Sequence, residues 1–462
     1  MNDAAKAIPG AALELSRVFR DAGFGLWLVG GWVRDALLGT LHADLDFATD
    51  ARPERSIEVL KRWSKGKVWE TGILFGTVGA QCDQTRVEVT TFRSEVYTED
   101  SRNPDVVFAD DLEADLSRRD FTINAIAIEL PDVRIVDPFG GISDIASRRI
   151  KTPLSPEVSF SDDPLRMLRA LRFCSTLGFD ISRDVLDAIS NMHERLQIVS
   201  HERVRDEFTK LVRGKAASRA LDLATQTGLA EMFFPELPAL RLEQDPIHRH
   251  KDVFRHTLAV LDNVARTDKD QPDLALRLAA LLHDVGKPKT RQISGKGVSF
   301  HHHEVVGADM TETRLKDLRY PARLIEEVRD LVYLHLRFHT YRLGWTDKAV
   351  RRYVRDAGAL LPKLNTLVRA DCTTRNHAKA KELSDRMDEL EARIGELASK
   401  EELTRIRAAL DGKEVMDHLG IPPGPLVGDA IDMLMEIRMD EGEIDKEEAL
   451  KRLDDWFARS KS

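Results

Sequence analysis

Asp44 and Asp46 stand one residue apart in an apolar-flanked stretch, Ala-Asp-Leu-Asp-Phe-Ala. Successive side chains of an extended strand point to opposite faces, so both carboxylates emerge on the same one. Two like charges held that close need a cation. Mg²⁺ suits them, because it takes oxygen ligands and is usually held by one or two carboxylates together with substrate phosphates. Upstream, Gly30 and Gly31 let the backbone approach a phosphate closely, and the helix they open aims its free N–H groups at the same place. Either half alone reads equally well as an ordinary turn or a solvated acidic pair; together they describe a nucleotide phosphate site. Glu88 alternates with Val87 and Val89, so it faces away from them, either into solvent or beside the two aspartates as a third carboxylate. Arg118 and Arg119 lead into Phe-Thr-Ile-Asn124-Ala and can grip a triphosphate by bidentate hydrogen bonds, although a bare Arg-Arg pair is more often surface charge.

Two further constellations lie downstream. Asp163, Arg166, Arg169 and Arg172 recur every three residues beside Leu165, Leu168 and Leu171, which predicts an apolar stripe with an ordered row of one acid and three guanidinium groups next to it. Such a row can hydrogen-bond base edges, and it can equally be an exposed helix face laced with salt bridges. Near residue 245 the composition turns to histidine. His256 sits in an amphipathic stretch (253–264), and His283-Asp284 ends an apolar one (274–282). His301, His302, His303, Glu304, His335 and Asp371 follow. A lone buried histidine is usually structural. A His-Asp doublet at a helix end, with one histidine upstream and an aspartate far downstream, instead supplies mixed nitrogen and oxygen ligands for a metal ion.

Positioning these groups requires a small mixed sheet and many helices. The spacing predicts a helix over 11–21 stopped by Gly23, strands on either side of the Gly30–Gly31 turn, and a helix over Pro53–Trp63. Strands follow at Lys67–Thr71, Thr77–Gln81 and Arg86–Phe92. Ser94–Asp115, rich in Glu, Asp, Arg, Asn and Pro, reads as a mobile loop. From Ser161 onward the pattern is long helices, including a strongly charged stretch over 379–410. A chain of 462 residues is too long for one core, and 32% charged against 6% aromatic residues favours a mostly helical protein. No long uncharged apolar run supports a membrane span, and three scattered cysteines fit reduced thiols, so the expected compartment is the cytoplasm. A net charge of −9 argues against wholesale coating of nucleic acid but leaves room for a local basic groove.

With these motifs in order, the sequence resembles the class II tRNA nucleotidyltransferases of bacteria, the CCA-adding enzymes, in the variety that carries an HD domain. The resemblance covers nearly the whole chain. It rests on Gly-Gly-x-Val-Arg-Asp (Gly30 to Asp35), Asp44-x-Asp46, Arg118-Arg119-Asp120-Phe-Thr-Ile-Asn124-Ala, Asp163-x-x-Arg166 with Arg169 and Arg172, and Glu202-Arg203 to Glu207. Asp162 departs from the pattern where many members have Glu, which leaves the charge intact.

The resemblance implies an α+β fold. A small polymerase-beta-like nucleotidyltransferase head (1–150) precedes an all-α neck (151–244), an HD domain (245–378) and a helical tail (379–462). It implies that Asp44 and Asp46 hold catalytic Mg²⁺, that Gly31 and Arg34 contact the incoming nucleotide and that Arg119 holds its phosphates; Glu88, from its strand alternation, is the candidate third catalytic carboxylate, and Gly30 and Asn124 are the further nucleotide-binding candidates. Asp163 and Arg166 would pair with the base of CTP or ATP, with Arg169 and Arg172 completing the pocket. The tRNA 3′-hydroxyl would attack the α-phosphorus and pyrophosphate would leave. Lys210, Arg213, Lys215 and Arg219 offer a basic contribution to the tRNA surface. In the HD region, His256, His283, Asp284 and Asp371 match the family's metal ligands, implying a divalent transition metal and an accessory phosphohydrolase activity. Rival readings are a poly(A) polymerase of the same superfamily, a split-function CC-adding or A-adding enzyme, and, from another class, an HD-type phosphohydrolase whose front half binds RNA. Gly72–Val78 lacks the Gly-Arg-Arg-Phe-type element of poly(A) polymerases, and the intact Ser94–Asp115 stretch points to the full CCA reaction.

Overall fold

The computed structural model describes residues 7–40, 44–70, 72–73, 76–96, 105–108, 111–242, 252–268, 271–294, 297–340, 345–374, 376–400 and 406–460. Two compact units divide the chain, Met1–Pro238 and Ala239–Ser462.

The first unit is α+β, as the sequence predicts. Its strands are β1 (Leu26–Val29), β2 (Leu45–Thr49), β3 (Val68–Trp69), β4 (Thr77–Cys82), β5 (Thr85–Thr91), β6 (Arg93–Val96), β7 (Asp105–Phe108), β8 (Ala127–Leu130) and β9 (Arg134–Val136). Seven of them form a mixed sheet in the order β3-β4-β5-β2-β1-β8-β9. At its centre β1 runs antiparallel to β2, and β2 runs parallel to β5 with Asp46 opposite Glu88 and Phe47 opposite Val89. In β2 every residue but Asp46 is buried. Helices Gly10–Asp21 and Pro53–Trp63 bury Leu15, Phe19, Val59, Leu60 and Trp63, each worth about 1.5–3 kcal/mol when fully withdrawn from water. The first of these helices ends where expected, with Gly23 at φ 86°.

Helix Leu165–Leu177 is the hub of the rest of this unit. It packs against helices His201–Arg213 and Ala217–Gln226, and the predicted stripe of Leu165, Leu168 and Leu171 is buried together with Met167, Ala170, Phe173 and Cys174. At Gly214 the chain crosses so close to this helix that a Cβ would lie 2.0 Å from the Ser175 hydroxyl.

Three expectations are corrected. Ser94–Asp115 is not one loop: β6 and β7 pair antiparallel, Arg93 opposite Phe108, and helix Leu112–Ser117 follows, capped by Asp111, whose carboxylate accepts from Ala114 N at 2.7 Å. The apolar run Val106-Val107-Phe108 is the strand signal that the surrounding charge concealed; positions 97–104 and 109–110 lie outside the described residues. Asp163 does not sit on the helical row. It precedes Pro164, whose ring disfavours the α region in the residue before it, and accordingly Asp163 is extended at φ −142°, ψ 102°. The strand expected over Lys67–Thr71 shortens to Val68–Trp69, and Thr71 lies outside the described residues.

The second unit is helical. Helices Val253–Ala265, Leu274–Leu282, His303–Asp317, Ala322–Leu334 and Leu361–Asp371 pack together, with a two-stranded ribbon, Arg291–Ser294 against Gly297–Phe300, between the second and third. Helix Leu274–Leu282 is buried nearly all round, which explains a sequence apolar at every position but Arg277, itself buried and paired with Asp268. Towards the chain end, helices Gly412–Leu419, Pro425–Glu441 and Lys446–Ser460 share a core of Val415, Val427, Leu434 and Leu453. No described helix is long and apolar enough to cross a membrane.

Candidate active site and metal centre

The carboxylates form a site because of strand register. Asp46 on β2 and Glu88 on β5 are direct neighbours, and together with Asp44 they line one concavity that also takes in Arg86. Partial withdrawal from water raises the Asp46 carboxyl above its ordinary value; Glu88 and Asp44 push it further up, and Arg119 opposes them. A carboxyl that resists ionisation beside two more carboxylates, all donors being oxygen, fits a hard divalent cation. The glycine turn closes the site: Gly30 has φ 73°, and a Cβ there would lie 3.4 Å from an Arg119 guanidinium nitrogen and 3.8 Å from the Asp46 carboxylate. The space would admit a Cβ, but at this positive φ a side chain strains the backbone, so glycine is what the turn requires.

Behind the turn, Arg34, Arg118, Arg119, Arg169 and Arg172 are each held by an acid. Arg34 donates to Asp35 at 2.7 and 2.9 Å and to the Asn124 carbonyl oxygen at 2.8 Å. The Asn124 amide donates to Asp120 at 2.9 Å, and Arg169 donates to the other Asp120 oxygen at 2.5 and 2.9 Å. Burial alone would raise the Asp120 carboxyl, but Arg169, Asn124 and Arg166 hold it well below the carboxylate range. Glu207 pairs with Arg169 at 3.4 Å and with Arg172 at 2.9 Å. Burial lowers Arg172 to about 10, still cationic at neutral pH. Arg118 and Arg119 share Asp115, which is fully buried and carries a lowered pKa because the two guanidinium groups outweigh its desolvation. Arg166 is buried, donating to Ser159 and, at 2.5 Å, to the Arg118 carbonyl. Asp163 keeps one carboxylate oxygen on Leu165 N and the other on the exposed Arg203 at 2.7 Å.

In the second unit the four predicted ligands converge. His256 Nε2 lies 2.9 Å from Asp371 Oδ1, 3.5 Å from Asp284 Oδ2 and 3.3 Å from His283 Nε2. His303 and His335 stand on the other side of Asp284. Burial, then the neighbouring His283, pushes His335 down to about 3, so its ring is neutral. The Nε2 atoms of His303 and His335 are buried and make no hydrogen bond, a cost that a metal ligand bond would remove, so the residues fit a metal ion.

Three family models match: the poly A polymerase head domain over residues 26–151, the probable RNA and SrmB-binding site of polymerase A over 178–240, and the HD domain over 253–402. An A-adding tRNA nucleotidyltransferase of Deinococcus radiodurans is 35% identical, covering 90% of this chain and 91% of its own. A CCA-adding enzyme of Geobacillus sp. (strain WCH70) is 30% identical over 96% of each chain. The chain belongs to the CCA-adding tRNA nucleotidyltransferase family. Among solved structures, the Bacillus stearothermophilus CCA-adding enzyme in complex with CTP has a TM-score of 0.71 at 27% identity, covering 98% of this chain and 99% of that one. The Thermotoga maritima CCA-adding enzyme complexed with tRNA has a TM-score of 0.62 at 20% identity, covering 99% and 98%, a likeness of fold.

Membership in this tRNA nucleotidyltransferase family, with an HD domain, implies use of a divalent metal. Of the predicted residues, the first unit brings Asp44, Asp46, Glu88, Gly30 and Arg119 to one point, and joins Arg34, Asn124, Arg169 and Arg172 in one network. Sequence reasoning missed Asp35, Asp115 and Asp120, the acids that aim those arginines, and Phe173, whose ring lies 3.7 Å from the Arg172 guanidinium and 5.1 Å from that of Arg34. Asp35 and Asp120 lie inside quoted motifs, and Asp115 stands three and four residues before Arg118 and Arg119, a helical spacing that could have found it.

Proposed function

We propose that this chain adds CCA to the 3′ end of tRNA, using CTP and ATP and releasing pyrophosphate. The observation that carries the reading is the register that sets Asp46 beside Glu88, with Asp44 next to them and the Gly30 turn and Arg119 against them. Asp44, Asp46 and Glu88 would hold Mg²⁺, which supplies charge neutralisation at the α-phosphate and a lower pKa for the attacking hydroxyl. Gly30 and Gly31 offer backbone N–H groups to the phosphates, and Arg119, pinned by Asp115, binds them without the freedom to swing away. Arg34 and Asn124 brace that turn from behind. Asp163, exposing a carboxylate that Arg203 can yield, accepts from the exocyclic amine that cytosine and adenine both carry and that guanine and uracil replace with a carbonyl at that edge. Arg166, fixed by Ser159 and the Arg118 carbonyl, stands beside it, and Arg169 and Arg172 close the pocket.

The remaining domain assignments follow the same reading: head 1–150, neck 151–244, HD 245–378 and tail 379–462. His256, His283, Asp284 and Asp371 would hold a divalent transition metal for an accessory phosphohydrolase reaction, and the protein works in the cytoplasm. The deciding experiment supplies a tRNA transcript lacking its 3′ end, with Mg²⁺ and CTP, ATP or both. Two additions with CTP and a third only with both are expected. A second reading, A-addition alone, is favoured by the Deinococcus relative that matches 90% of the chain under that name. It predicts extension only of transcripts already ending in CC. Long ladders with ATP alone would mean a poly(A) polymerase.

A further inference from the structure

The open face of the sheet extends beyond the carboxylates. Register sets one row across four strands: Asp46 on β2 opposite Glu88 on β5, Glu88 opposite Gly79 on β4, and Gly79 opposite Trp69 on β3. Residues directly opposite share a face, so Trp69 lies on the carboxylate side of the sheet, two strands or roughly 10 Å from Glu88. The other face is already occupied, with Val78, Ala80, Val87 and Val89 buried. Gly79 is what lets the indole lie down on the sheet, since a Cβ there would stand 2.0 Å from Trp69 Nε1. The ring is half-buried, and with Thr77, Gln81, Arg86 and Glu88 it lines a hollow of about 500 Å³. The Arg86 guanidinium stands 4.8 Å from the ring centre and donates to Glu88 Oε1 at 3.2 Å, with 60% of the side chain exposed. Arg86 and Glu88 also line the concavity of Asp44 and Asp46, so the two hollows meet along them.

An indole laid on a sheet beside an exposed guanidinium is suited to a nucleobase: single-stranded RNA is held by stacking on aromatic rings and guanidinium planes, and a cation also meets its backbone. Strand order says which base. In the order β3-β4-β5-β2-β1, β1 leads into the Gly30 turn on one side of Asp46, and Trp69 lies on the other. In-line displacement sets the attacking and leaving oxygens on opposite sides of the phosphorus. With the triphosphate at the glycine turn, the attacking hydroxyl comes from the side of Trp69. We propose that Trp69 and Arg86 form the acceptor platform, stacking the 3′-terminal base of the tRNA and so bringing its hydroxyl to Asp46 and Glu88. The platform rests on the proposed transfer reaction and adds to it where the acceptor end lies. Stacking tolerates any base, which suits an acceptor whose last base changes as the end grows.

The probe is a tRNA transcript ending in CC whose last base is 5-iodocytosine, which on irradiation cross-links to an aromatic ring stacked against it. The full chain is bound to it without nucleotide, irradiated and digested, and the adduct is located by mass spectrometry. An adduct on Trp69 is expected. With the unmodified transcript, Trp69→Ala should raise the KM for tRNA about tenfold and leave that for ATP unchanged. Trp69→Phe, which keeps a ring, should recover most of the loss. An adduct confined to other residues, no adduct at all, or an unchanged KM for tRNA in Trp69→Ala would overturn the platform, while extension of the transcript by the parent protein would leave the proposed function intact. No extension by the parent protein would overturn both. The adduct is read on the parent protein, so a variant that fails to fold does not blunt the test.

Discussion

Asp46 illustrates a conflict between stability and chemistry. Its carboxyl titrates above the ordinary value because it is drawn from water and faces Glu88 and Asp44. A carboxyl raised by folding stabilises the native state below its unfolded pKa, and that contribution is lost as pH rises through the folded value. At neutral pH without metal, Asp46 is therefore a liability. Asp46→Asn should raise the melting temperature of the metal-free protein by about 1–2 °C while abolishing nucleotide transfer; a calorimetric scan with and without Mg²⁺ checks both halves. Asp120 behaves oppositely. Held low by Arg169, Asn124 and Arg166 against its own burial, it contributes stability above its unfolded value near 3.8 that drains away as pH falls towards the depressed folded value. Thermal melts should thus fall steeply below about pH 4, and Asp120→Ala, which strips Arg169 of its closest partner, should cost about 2–4 kcal/mol at pH 7. Urea titration of the variant reads that cost directly.

Helix Leu165–Leu177 and the strands β1, β2 and β5 fix where the chemistry sits, and they differ in how far the sequence reveals them. The strand, glycine turn, helix and strand from Leu26 to Thr49 were legible because each step has a local cause: alternation, a positive φ, an apolar period. Alternation also told which face Glu88 takes. It could not tell which strand lies beside it, because pairing β2 with β5 is a long-range choice made by the whole sheet. Asp163 was misread although its signal was present, since a residue before proline leaves the helical region. The acids behind the arginines were overlooked for a different reason: the motif shows the cation, and only packing shows what aims it. Close approach at Gly214 is likewise invisible in sequence. Gly214→Ala, at a backbone conformation alanine accepts, drives a methyl group against Ser175 and should destabilise by about 1–3 kcal/mol, read as a shift in the urea midpoint.

Across the molecule, two centres ask for different metals. Oxygen donors alone surround the first, whereas imidazoles dominate the second. After chelation, Mg²⁺ should restore tRNA extension fully but phosphoester hydrolysis poorly, and Mn²⁺ or Ni²⁺ should restore hydrolysis; parallel assays on one stripped preparation decide it. A net charge of −9 means that RNA must be met locally. Of the four basic residues near the end of helix His201–Arg213, Lys210 is tied to Glu207 and Arg219 to Asp180, which leaves Arg213 and Lys215 as the exposed pair to test. Reversing both charges should weaken tRNA binding and flatten its dependence on log salt by about 1–2 units.

The relay running Arg34, Asn124, Asp120, Arg169, Glu207 and Arg172 also bears on accuracy. Under the proposed function its ends lie at the triphosphate and at the base. A mismatched base that shifts Arg169 by a fraction of an ångström loosens Asp120, then Asn124, then the guanidinium behind the glycine turn. Misincorporation of UTP or GTP should accordingly be rejected in the rate of transfer as well as in binding, so that fidelity and turnover rise and fall together.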